Sequence, residues 1–178
     1  MLVCGALGGE NTSPTPLRLH RVPAGTILGY KPMSSESIDD FVWSTNMSPL
    51  WSGAYVQCRI DEAISYAPNQ FERGHASCVV VRLTSTRDIN IAVCDDERLA
   101  DTNLSSHQKA ALVIGAARAT PELKWKDQYF THSVSEAVGR LETALLLLDS
   151  ENYELIFPRC LFTSESVRSE KILELSCS

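Results

Sequence analysis

The chain has 178 residues, 44% of them hydrophobic and 21% charged, with a formal net charge of −6. That length fits one domain able to bury its apolar surface without metal or disulfide staples. The acidic balance disfavours nucleic acid and anionic membranes, which recruit basic surfaces, and no stretch approaches the ~20 apolar residues of a membrane-spanning helix.

Residues 1–16 are rich in Gly, Ser, Thr and Pro and read as a flexible leader before a single domain over 17–178. The first residues, Met1 to Gly9, lack the basic region of a secretory signal. Leu17 to Val22 alternates and ends at Pro23, predicting a short strand. Ser34 to Val42 has the Ser cap and early acids of a short helix. Gly53 to Val56 reads as a strand, Ile60 to Ala67 as a helix stopped by Pro68, and Asn69 to Ala76 as a loop. Two strands follow at Cys78–Leu83 and Ile89–Val93, then helix in two pieces from Asp95 to Ala119, broken near Thr102-Asn103.

Pro121 to His132 is a polar, aromatic loop of the kind that carries function. Leu141–Leu148 and Tyr153–Phe157 can be strands, although Val134, Ala137, Val138, Leu141, Leu145 and Leu148 also keep helical spacing. Both alternatives stay open, and under the helical one Glu142 is a solvated charge. Many short strands with few helices predict an α+β fold. The six cysteines form no C-x-x-C pair or zinc spacing; several lie in apolar runs, as Cys78 does, so buried free thiols in a reducing compartment are expected.

Tyr55 and Tyr66 stand eleven residues apart, one ending a strand and the other in the next helix. Such a unit can leave a slot for a flat ring such as nicotinamide; aromatic pairing contributes about 0.5–1.5 kcal/mol beyond area burial. Two ordinary core tyrosines would have the same spacing.

Trp51-Ser52-Gly53-Ala54-Tyr55, then Ala63, Tyr66-Ala67 and Arg73-Gly74, resembles the catalytic domain of the exotoxin A, cholix and diphtheria-type ADP-ribosyltransferases. Gly139-Arg140-Leu141-Glu142-Thr143-Ala144-Leu145 is similar to the exotoxin segment containing the catalytic glutamate, and Glu154-Leu155-Ile156-Phe157-Pro158 to its following strand. The resemblance implies two small packed antiparallel β-sheets forming an NAD-binding cleft, flanked by helices. It implies mono-ADP-ribosyl transfer from NAD⁺, as co-substrate and without a metal, to a host protein. NAD⁺ glycohydrolysis at the same site, or a non-catalytic interaction domain, are the alternatives.

Carried over residue by residue, Tyr55 and Tyr66 would sandwich nicotinamide beside Gly53, and Glu142 would hold the nicotinamide ribose and stabilise the ribosyl cation. The adenosine ribose falls to His20, 35 residues before Tyr55, in preference to Arg21. A third alignment sets Gly29-Tyr30-Lys31 on the family's G-Y-H and puts Lys31 in that role. Trp125 and Tyr129 would recognise the acceptor protein. Leu19-His20-Arg21-Val22 departs from the family's Y-H-G-T, which weakens elongation factor as the acceptor; a ubiquitin threonine is the other acceptor the class suggests. The implied protein is a monomeric bacterial effector or toxin fragment, delivered to host cytoplasm without a signal peptide.

Overall fold

The structure, a computed structural model, describes residues 13–35, 54–72, 74–123, 143–149, 152–157 and 161–176. Its elements are β1 (Arg18–Val22), β2 (Ile27–Ser34), β3 (Ala54–Gln57), α1 (Ile60–Ser65), α2 (Pro68–Glu72), β4 (Ser77–Ser85), β5 (Ile89–Cys94), a 3₁₀ turn (Glu97–Ala100), α3 (Ser106–Arg118), β6 (Thr143–Asp149), β7 (Asn152–Phe157) and β8 (Val167–Ser176). Strand outweighs helix, and the architecture is α+β.

The strands form one hydrogen-bonded sheet in the order β1-β5-β6-β7-β3-β2-β4-β8. Hydrogen bonding is therefore continuous through one sheet, where two small packed antiparallel sheets were expected, and β5 and β6 run parallel. The continuity is thin at one point. β2 and β3 share the single pair Tyr30↔Gln57, while β2 pairs with β4 from Ile27 to Ser34.

Chain lengths show that the sheet folds back on itself. In a flat sheet β4 and β5 would lie five strand positions apart, roughly 24 Å at the usual interstrand spacing. The residues from Ser85 to Ile89 span at most about 14 Å. The link from Val22 to Ile27, between strands also five positions apart, reaches only about 17 Å. The β2-β4-β8 wing must therefore curl over the β1-β5-β6-β7-β3 wing.

Hydrogen bonds stitch this folded end together. Gly25 N–H donates to Ser85 O at 2.8 Å, Thr26 N–H to Ser85 Oγ at 3.0 Å, and Ala24 N–H to Asp88 Oδ1 at 3.1 Å.

Two cores follow from the alternation of the strands. One joins Val79, Val81 and Leu83 of β4 with Ile91, Leu155 and Phe157 of the other wing. The second lies under α3 and includes Tyr55, Ala92, Leu145, Ile156, Val113 and Ala117. Cys78 to Val81 are fully buried one after another, because β4 is central and covered on both faces. α3 starts with a reciprocal capping box, Ser105 with Gln108. Past its end Thr120 Oγ1 accepts Leu17 N–H and donates to Ala116 O, both at 2.8 Å, which ties the approach to β1 onto the helix.

Several expectations meet their outcome here. The chain is strand, not helix, over Thr143–Asp149, which removes the amphipathic-helix alternative for that stretch. Pro68 opens α2, where a loop was expected from Asn69; proline suits a first helical turn, whose N–H groups lack partners. Helix does come in two pieces between Asp95 and Ala119. Cys58, Cys78 and Cys94 are free thiols, the latter two buried, and burial pushes all three up from the ordinary thiol range. The expected helix beyond Ser35 and the other three cysteines lie outside the described residues.

Candidate active site

β3 stands between β7 and β2 and carries Tyr55 at the centre of its pairing. Tyr55 sits opposite Ile156, and Gln57 opposite Glu154, so alternation sets all four side chains on the face that α3 covers further along. Tyr55 and Ile156 close the apolar part of that face. Gln57 and Glu154 continue it as a polar pair, in which Gln57 Nε2 donates to Glu154 Oε1 at 2.8 Å.

Glu154 is a partly buried carboxyl group on a sheet of hydrophobic side chains. Burial pushes it above the usual carboxylate range, and the nearby charge of Glu62 adds to that; the Gln57 amide and Lys31 pull the other way. Lys31, on β2, is 2% exposed and its Nζ donates to Tyr55 O at 3.2 Å. A lysine amine is thereby held inside the fold at the point where the two wings meet.

Gly29 makes this approach possible. Its φ is +138°, and a Cβ there would come within 2.3 Å of Gln57 O, so only glycine lets β2 lie this close to β3.

α1 closes the other side. Cys58 and Arg59 lead from β3 into the helix, with Asp61 and Glu62 in its first turn, where carboxylates favour the helix dipole. Tyr66 caps the helix and is 42% exposed. Burial and the charges of Glu154 and Glu62 push its phenol up.

Of the expected site residues, then, Tyr66 and the alternative Lys31 bear on Glu154, and Lys31 meets Tyr55 at its backbone carbonyl. The tyrosines have unlike surroundings, with Tyr55 only 5% exposed in the core under α3 and Tyr66 open to solvent. His20 and Arg21 do not join them. Both are on β1, an edge strand with three strands between it and β3, and both are exposed, Arg21 pairing with Asp88 at 3.0 Å. Glu142, Gly53, Trp125 and Tyr129 lie outside the described residues.

Glu154, Gln57 and Glu62 are members of the cluster that spacing arguments missed. The only available signal was a lone acid in the apolar strand Tyr153-Glu154-Leu155-Ile156-Phe157. Its partner Gln57 is 97 residues away in sequence. Among the described residues, no group of three or more His, Cys, Asp or Glu side chains is arranged to hold a metal ion, and no helix is long and apolar enough to cross a membrane. No protein-family model matches the chain, and no curated protein matches it either.

Proposed function

We propose that the chain is an NAD⁺-dependent mono-ADP-ribosyltransferase that passes ADP-ribose to a host protein and releases nicotinamide, with Glu154 as the carboxylate at the reacting centre. The observation that carries this reading is the position of Glu154. It is a half-buried acid held by Gln57 beside the strand of Tyr55, with Lys31 and Tyr66 around it. The folded two-wing sheet supports the finer expectation of an ADP-ribosyltransferase-like fold, with the cleft where β2, β3 and α1 meet.

The chemistry suits the groups. As the bond from ribose to nicotinamide breaks, its electron pair stays on the ring nitrogen and the sugar carbon becomes cationic. A fixed carboxylate in a low-dielectric setting stabilises that cation far more than water does. The Gln57 amide favours the ionised form of Glu154 and fixes the orientation of its oxygens. Tyr66 offers a half-open aromatic face for the flat nicotinamide ring. Buried Lys31 takes the place that the alternative alignment gives to the family's histidine, and His20 and Arg21 leave the proposed site.

The resemblance places the carboxylate at Glu142, and the experiment decides between the two. NAD⁺ is incubated with the protein, with and without host-cell lysate, while nicotinamide release and labelling by biotin-NAD⁺ are followed for the wild type, Glu154→Gln and Glu142→Gln. Glu154→Gln is expected to fold normally and lose about 10²–10³ in rate, the usual cost of one transition-state contact. Loss in Glu142→Gln alone returns the role to Glu142. Release without labelled protein identifies the glycohydrolase, and a wild type inert under both conditions leaves the interaction domain.

A further inference from the structure

Helix α1 brings a second carboxylate to this site. Glu62 lies four residues after Cys58, and its Oε2 accepts from the Cys58 thiol at 3.7 Å. The same sulfur accepts Tyr153 N–H at 3.3 Å, and Cys58 N–H donates to Tyr153 O at 3.3 Å. Tyr153 immediately precedes Glu154. The thiol thus fastens Glu62 to the strand that carries Glu154.

One helical turn further on, four residues after Glu62, stands Tyr66 on the same side of the helix. The charges of Glu62 and Glu154 both push its hydroxyl up, and Glu62 adds to the upward push on Glu154. The nearest cation on the helix does not take Glu62. Arg59 turns its guanidinium to Asp61, with Nε and Nη2 on the two carboxylate oxygens.

The two acids are held differently. Glu154 is locked by a side-chain amide on the sheet, whereas Glu62 is on the helix beside the exposed Tyr66, the direction from which an acceptor must enter. We infer that Glu62 accepts the proton of the group that attacks the ribose, while Glu154 stabilises the sugar cation. This division of labour rests on the ADP-ribosyl reading above.

With water as acceptor, the water oxygen forms a bond to the ribose C1′ as the bond from C1′ to the nicotinamide nitrogen breaks. The electron pair of the broken bond remains on nitrogen, and the water proton passes to Glu62 and then to solvent. NAD⁺ and water yield ADP-ribose, neutral nicotinamide and a proton. General-base assistance of this kind contributes about 10²–10⁴-fold.

Azide ion separates this role from a structural one, because it attacks without a proton to lose. NAD⁺ hydrolysis by Glu62→Gln is expected to fall at least about 10²-fold. Sodium azide should then restore nicotinamide release, with ADP-ribosyl azide detected by mass spectrometry, while Glu154→Gln is not restored. Hydrolysis by Glu62→Gln at the wild-type rate overturns the proposal. So does a failure of azide to restore a variant that melts cooperatively and binds NAD⁺ as the wild type does. If Glu62→Gln does not fold, Cys58→Ala keeps the carboxylate but frees it from its tether. Hydrolysis should then fall partially, and unchanged turnover overturns the proposal. A wild type that releases no nicotinamide overturns the ADP-ribosyl reading and this inference with it.

Discussion

The β2-β4-β8 wing and the corner formed by β3, β7 and α1 are built on opposite terms. In the wing, β4 pairs along its whole length, with β2 on one side and β8 on the other, and its residues Cys78 to Val81 are shut off from solvent. In the corner, a four-residue strand carries Gln57 against Glu154, a lysine is buried, and the helix has six residues. Burying each large side chain of the wing contributes about 1.5–3 kcal/mol. Burying the polar groups of the corner costs free energy wherever a charge is only partly compensated. Stability is thus concentrated in the wing, and the chemistry proposed here in the corner that the wing supports.

Substitutions can break that contrast, and the largest effect is expected in the wing. Leu83→Ala removes a fully buried side chain from the core between the wings and should destabilise by about 2–5 kcal/mol in urea unfolding. Nicotinamide release per folded molecule should stay unchanged. A matching loss of turnover would show that the two regions are not separable.

Gly29→Ala probes the join itself. With a positive φ and a Cβ forced against Gln57 O, it should cost more than about 1 kcal/mol. Unlike Leu83→Ala, it should also impair NAD⁺ binding measured by calorimetry, because it pushes β2 and Lys31 away from β3.

Ser105→Ala removes the reciprocal cap that Ser105 makes with Gln108 at the start of α3. A loss of about 1 kcal/mol in thermal unfolding without any change in turnover would sharpen the distinction.

The smallest stability effect has the opposite sign. Glu154 titrates above its ordinary range in the folded chain, so the fold binds its proton more tightly than the unfolded chain does. The stabilisation is full below the ordinary carboxylate pKa and is lost as pH rises through the raised one. Glu154→Gln should therefore melt higher than the wild type at pH 7 to 8, with the gain shrinking toward pH 4. A melting temperature unchanged at neutral pH would count against a strained acid at this position.

The sequence disclosed the local parts of this molecule far better than the distant ones. β1, β4, β5 and β7 announce themselves by β-branched or alternating residues between turn signals, and α3 as the second piece of the helical stretch from Asp95 to Ala119. β2 escaped notice because Gly29 and Pro32 interrupt it. Both are tolerated by the join. Glycine permits the close approach, and Pro32 lies beyond Tyr30, where the described residues of β2 and β3 pair, so its missing N–H leaves no ladder bond unmade on that side. β8 carries charges at nearly every second position, as befits a strand at the sheet edge, and so gave no apolar run to recognise.

For the site, Tyr55 and Tyr66 could be found because one strand-helix unit holds both. The Glu154–Gln57 pair depends on strand register, which no local spacing encodes. His20 shows the converse. Its strand was foreseen correctly, but its place at the far edge depends on the order of strands across the whole sheet.

That the described residues of β2 and β3 share one ladder pair, Tyr30↔Gln57, has a mechanical consequence. A laminate glued along one narrow line flexes at that line, and here the line passes beside Glu154. Amide exchange should accordingly begin at Gln57 and Tyr30 long before it reaches Val79 or Val81, and under the proposed function added NAD⁺ should slow it most at the former pair.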